Sequence, residues 1–198
     1  MVDLVAQEFS NMIEIRTIEV AGFASAFQAL RLPFKKECRS ISHTRMDFNY
    51  AEIATTSSVF IDPKDLTLMS TLIKRGDEHA KVVRGIMVYA EINAPRYWWQ
   101  EMDTYRVGTD RLSSESTMHC EGRGMSEEDL VEMKNNLPEG TMQKRVQVFS
   151  YQTLRRIYLQ RRKHRLPHWR EFCSYIEGLP FADELILIGL DIPHEQTH

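Results

Sequence analysis

The stretch from Asp77 to His119 holds the residue types that chemistry would use. His79 stands ahead of an apolar run that ends in Ala94-Pro95, and the aromatic segment Arg96-Tyr97-Trp98-Trp99 follows. Arg106, Gly108, Thr109, Arg111, Ser113, Ser114 and Ser116 then crowd one short stretch. A loop of this composition can cradle phosphate, because hydroxyls and backbone N–H groups converge on anionic oxygens and a guanidinium fork takes them two at a time. The same composition also makes an ordinary polar turn, and His79 can equally cap the turn before it. Neighbouring tryptophans on a helix point in different directions, so one of Trp98 and Trp99 is expected in the core and the other at an interface, free to stack on an aromatic ring.

Charge marks a second region. Seven basic residues and no acid lie between Arg155 and Arg170, which leaves the rest of the chain with 18 basic against 28 acidic residues. An acidic body with one basic segment points to a local anion site or a solvated helix face. A nucleic-acid-binding module over 155–170 is a third reading, and the acidic remainder counts against it. No metal centre is expected. His119-Cys120 has no second pair at ligand spacing, and Pro167 separates His164 from His168.

The elements that must position these residues follow from local signals. Ile13 to Val20 alternates apolar and polar residues and reads as a half-buried strand. Ala21 to Leu32 reads as a helix stopped by Pro33. Asp62-Pro63 opens a further helix closed by Gly76, with aspartate as cap and proline in the first turn. Gly85 to Ile92 is rich in β-branched and aromatic residues and reads as a strand, and a helix opened by Ala94-Pro95 ends near Gly108. Ser126-Glu-Glu-Asp129 starts a short acidic helix that ends near Asn136. Helical spacing from Ser150 runs into the basic segment, Pro167 interrupts it, and the helix that restarts at His168 can stop at Gly178. Few strands and longer helices make an α+β domain, expected to span the whole 1–198 as one unit.

Composition bounds the class. With 42% hydrophobic and 27% charged residues the chain is not disordered. Three distant cysteines, Cys38, Cys120 and Cys173, argue against a disulfide framework and for a reducing compartment. The acidic N-terminus lacks the basic start of a signal peptide and no apolar stretch has membrane-spanning length, so a cytoplasmic protein with no membrane partner is expected.

The order histidine, apolar strand, Ala-Pro, aromatic helix, arginine, hydroxyl loop resembles the core of the flavin-dependent thymidylate synthases. That family carries the signature Arg-His-Arg-x-x-Ser-x-Asn-x-x-Ser-x-Arg. Laid on this chain without gaps, it falls on Thr104 to Ser116, with His79 and Ala94-Pro95 at the family's preceding histidine and strand exit. Arg106 and Ser114 match, and Thr109 replaces a serine by another hydroxyl. Thr104, Tyr105, Arg111 and Ser116 stand where the family has Arg, His, Asn and Arg. A second likeness lies in Ser150 to Phe172. Leu154 fits the family's last helix, Arg161 (or Arg162, with one inserted residue) fits its phosphate arginine, and Trp169 fits the tryptophan beyond. The resemblance spans about 70–120 and 145–178; the first 60 residues share only a strand and a helix.

What this resemblance implies is a small antiparallel sheet with packed helices, assembled as a homotetramer. It further implies FAD, reduced by NADPH, methylating C5 of dUMP with methylene-tetrahydrofolate. Ser114 and Arg106 would be catalytic. His79, Tyr105, Arg106, Thr109 and Arg111 would hold the flavin, and Glu101, Ser114, Ser116, Arg161 and Arg162 the nucleotide. The flavin carries the one-carbon unit, so no cysteine nucleophile is needed. Thr104 and Ser116 remove two fixed charges, each charged hydrogen bond typically being worth about 1.5–3 kcal/mol. Glu101 adds an anion where the family commonly has Gln, and Arg111 adds a cation at a shifted position. The alternative is a non-catalytic nucleotide-binding homologue, a sensor or an inhibitor, that has lost flavin chemistry. A short nucleotide enzyme of this kind would suit a phage.

Overall fold

In the computed structural model, which describes residues 12–35, 41–49 and 52–190, strict alternation in one strand organises the sheet. Val88, Ala90, Ile92 and Ala94 are fully buried, whereas Met87, Tyr89, Glu91 and Asn93 between them are half-buried. One face therefore lies against the core, as a period of two requires.

In chain order the elements are β1 (Glu14–Ala21), α1 (Phe23–Arg31), β2 (Ile41–Asn49), β3 (Glu52–Phe60), α2 (Pro63–Lys74), β4 (Met87–Pro95), α3 (Arg96–Met102), β5 (Thr109–Ser114), α4 (Glu127–Asn135), β6 (Met142–Ser150), α5 (Tyr151–Arg161), α6 (Pro167–Glu177) and α7 (Ala182–Leu185). The main sheet has the order β1-β4-β6-β5, and β2 pairs with β3 in a separate hairpin. Every pairing is antiparallel. The fold is α+β, as the sequence predicts.

Local chemistry accounts for the helix starts. The Asp62 carboxylate accepts from the Lys64 amide at 2.8 Å with Pro63 in the first turn, and the Ser126 hydroxyl accepts from the Asp129 amide at 3.1 Å. Ser150 does the same for Thr153 at 3.2 Å, so α5 begins on the last residue of β6. Packing does the rest. Phe23, Phe27, Trp98, Trp99, Trp169 and Phe172 have at most 2% of their surface exposed. The Trp98 ring lies 4.9 Å from both Trp99 and Trp169 and 5.5 Å from Phe172, tying α3 to α6.

Two expectations change, and one element has no counterpart in the sequence reading. Trp98 and Trp99 are both fully buried, so neither offers an interfacial ring for stacking. The hydroxyl loop is in part the edge strand β5. The strand β6, central to the sheet, escapes a pattern reading because its core-facing side carries Arg145 and Gln147 before Phe149.

Gly22 links β1 to α1 at φ 93, and a Cβ there would stand 1.9 Å from the Gly85 carbonyl oxygen. Gly22→Ala should therefore lower unfolding free energy by about 2 kcal/mol or more in urea melts, the combined effect of strain and a backbone clash.

Candidate functional site

Two helix ends meet around one guanidinium. Glu101 sits in the last turn of α3 and Arg161 ends α5. Arg161 Nη1 donates to Glu101 Oε2 at 2.6 Å and its Nε donates to the Tyr105 hydroxyl at 2.8 Å. The guanidinium carbon lies 4.4 Å from the centre of the Trp169 ring, within cation–π range. Trp169 Nε1 donates to the same Glu101 oxygen at 3.0 Å, and the Tyr105 hydroxyl donates onward to Gln160 at 2.9 Å. His164 completes the group. Its Nε2 is 2.9 Å from Arg161 Nη1 and 3.6 Å from Glu101, and its Nδ1 accepts from the Leu166 amide at 3.2 Å. Such a bidentate cation, stacked on an aromatic ring and partly shielded from water, is suited to carboxylate or phosphate. In this arrangement it holds a carboxylate of its own chain.

The segment after Tyr105 runs back along α5. Arg156 Nη2 and the Thr153 hydroxyl both donate to the Val107 carbonyl, at 3.0 and 2.7 Å, and the Ser150 amide donates to that of Gly108 at 2.8 Å. Gly108 has φ 75, and a Cβ would come 2.3 Å from Thr153 Oγ1, so this approach needs glycine. The Thr109 hydroxyl donates to the Tyr105 carbonyl and closes the turn.

The structure thus gathers Glu101, Tyr105 and Arg161, and puts Thr109 behind them as a backbone brace. It places the other sequence-predicted residues elsewhere. Arg106 is exposed on the loop, and Arg111 and Ser114 are exposed along β5. Ser114 lies opposite Arg145 and Thr109 opposite Phe149, so the two hydroxyls stand at opposite ends of the strand, about 16 Å apart at strand rise. Ser116 opens the turn after β5. His79 is half-exposed in the turn after α2, its Nε2 3.3 Å from Glu78. Arg162 caps the end of α5.

Sequence reasoning missed His164 and Gln160 as members of the group. The available signal was Arg161-x-x-His164 closing a helix, obscured by weighing His164 against His168 across Pro167. His168 instead contacts the Tyr97 hydroxyl at 3.3 Å. The basic segment divides likewise. Arg155 binds the carbonyls of Ile186 and Ile188, and Arg170 those of His164 and Arg165, so these charges cap backbone ends. Among the described residues no group of His, Cys, Asp and Glu could hold a metal ion, and no helix is long and apolar enough to cross a membrane.

Two crystal structures with this architecture are of the flavin-dependent thymidylate synthase ThyX of Helicobacter pylori, both with FAD and dUMP. One aligns over 87% of this chain and 97% of its own at a TM-score of 0.59 and 13% identity. The other aligns over 91% and 100% at a TM-score of 0.62, also at 13% identity. No family model and no curated protein sequence matches the chain. The likeness is one of fold.

Cys173 is buried in α6, and burial first, then Glu177, pushes its thiol up to about 12. A thiol raised in this way stays neutral in the folded state, so its contribution to stability is lost as pH rises past the ordinary thiol value toward 12. Peptide-resolved iodoacetamide labelling of the native protein at pH 8.5 should modify exposed Cys120 and leave Cys173 untouched, with Cys173 labelled only after denaturation.

Proposed function

We propose that this chain is a pyrimidine-nucleotide-binding protein on the flavin-dependent thymidylate synthase fold, taking a nucleotide of the dUMP type beside FAD. The carrying observation is Arg161. The residue that resemblance assigns to the nucleotide phosphate is a shielded guanidinium stacked on Trp169, also a resemblance position, and braced by Tyr105. In this reading Arg161 and Arg162 receive the phosphate, and Glu101 and Tyr105 border the base. Ser114 and Ser116, at the far end of β5 from Thr109, complete the site of a neighbouring copy in a homotetramer.

The cofactor fit rests on Arg106 and Arg111. Both side chains make no hydrogen bond or ion pair within the described residues and lie on the exposed signature stretch, which suits the FAD pyrophosphate. His79 and Thr109 would flank it. The bound flavin would supply redox and one-carbon chemistry with NADPH and methylene-tetrahydrofolate, while the residues named here bind and orient. The full activity implied is C5 methylation by a cytoplasmic single-domain enzyme, with Arg106 and Ser114 nearest the chemistry.

A second reading, nucleotide binding without turnover, is favoured by a specific contact. Glu101 already neutralises Arg161 at 2.6 Å, and Thr104 and Ser116 withhold two cations. The two readings share a binding test. Purified protein mixed with FAD and gel-filtered should retain a visible flavin band that shifts on adding dUMP. Glu101→Gln, by removing the internal competitor, should tighten dUMP about tenfold, equivalent to about 1.4 kcal/mol. Absence of both flavin and dUMP binding in wild type and Glu101→Gln would overturn the proposal. Binding of both without thymidylate formation selects the second reading.

A further inference from the structure

A cavity of about 400 Å³ opens on a different flank of α3, where Arg96 and Gln100 stand one helical turn apart. Lys134 from α4 and Arg145 from β6 close it, so three cations and no carboxylate form its wall. The hydroxyls of Thr117 and Thr141 and the side chain of Gln143 fill the spaces between.

The charges are unequally compensated. Arg145, 8% exposed, donates from Nη1 to both Asp103 oxygens at 2.9 and 3.1 Å and from Nε to Gln143 at 3.0 Å, with Trp99 stacked at 4.4 Å. The Arg96 guanidinium has no hydrogen bond or ion pair within the described residues. Among the described residues the Lys134 ammonium bonds only the neutral Thr117 hydroxyl. Glu139 accepts from Gln100 at 2.7 Å and Glu115 accepts from the Lys144 amide at 2.9 Å, so neither is paired with Arg96 or Lys134. Two cations without an ion-pair partner among the described residues therefore line one space, beside a third fixed behind them. Burial holds the Arg145 pKa below its ordinary value against the opposing pull of Asp103, and the smaller effects of the Arg111 and Arg96 charges add to the lowering.

We propose that this cavity binds a small molecule through a phosphate group, with Arg96 and Lys134 taking the phosphoryl oxygens. Thr117 and Thr141 serve as hydroxyl donors, and Arg145, locked by Asp103 and Trp99, serves as a fixed positive wall. A dianion suits two uncompensated cations, and the volume, within the span of small-ligand pockets, leaves room for a compact group attached to the phosphate. The site shares no residue with the Glu101–Arg161 group and does not rest on the nucleotide reading.

Pyrophosphate and glucose 6-phosphate, titrated calorimetrically at low salt, test it. Wild type should bind at least one of them, and Lys134→Met and Arg96→Met should each weaken that binding tenfold or more while melting temperature holds. Arg161→Met should leave it unchanged. Preference for pyrophosphate identifies an inorganic or polyphosphate ligand, and preference for the sugar phosphate a phosphomonoester; either supports the site. No binding of either probe by wild type, binding indifferent to both cavity variants, or binding lost in Arg161→Met would overturn the proposal. Failure here leaves the FAD and dUMP results standing, and the reverse also holds.

Discussion

The burial of Trp98 and Trp99 side by side on a seven-residue helix fixes the two candidate surfaces. A helix this short has little stability of its own. Here Trp98 packs on Trp169 and Phe172 of α6, and Trp99 donates its indole proton to the Gln143 carbonyl of β6 at 2.8 Å. With both rings immobile the helix cannot rotate. Glu101 then has one direction available, toward Arg161, while Arg96 and Gln100 take another, toward the cavity. Two chemically distinct surfaces are set by one packing contact between aromatic rings.

Arginine placement shows how this chain uses charge. Arg155, Arg156 and Arg170 spend their donors on backbone carbonyls, Arg145 on a carboxylate, and Arg161 on a carboxylate and a phenol. Basic density in the sequence therefore overstates the free positive surface. Among the described residues, Arg96, Arg106 and Arg111, in the middle of the chain, have no side-chain hydrogen bond or ion pair, and Lys134 bonds a neutral hydroxyl.

Legibility followed locality. The helices α2 and α4 were readable because Asp62-Pro63 and Ser126 fix their starts within a few residues. The strand β4 was readable because its inner face is wholly apolar. The strand β6 was not, since Arg145 and Gln147 face inward, and Arg145 is tolerated there only because Asp103 and Trp99 come from elsewhere in the chain. The α+β class came from the count of strands and helices, and the resemblance singled out Glu101, Tyr105 and Arg161 without placing them in one group. His164 did not, because its approach depends on the chain doubling back between α5 and α6, held by the Leu166 amide. The cavity by Arg96 was equally hidden, as it joins three elements that no spacing rule connects.

The outer strands carry a further consequence. Register shifts occur in the main sheet where β1 meets β4, between Thr17 and Glu19, and where β5 meets β6, between Arg111 and Ser113; the central pair β4–β6 runs without one. Both outer strands also bear charge, Glu14, Arg16 and Glu19 on one and Asp110 and Arg111 on the other. An irregular, charged border is a poor template for an incoming strand, because added chains need an even row of donors and acceptors and a place to bury side chains. These irregularities thus guard the sheet against growing edge to edge into aggregates.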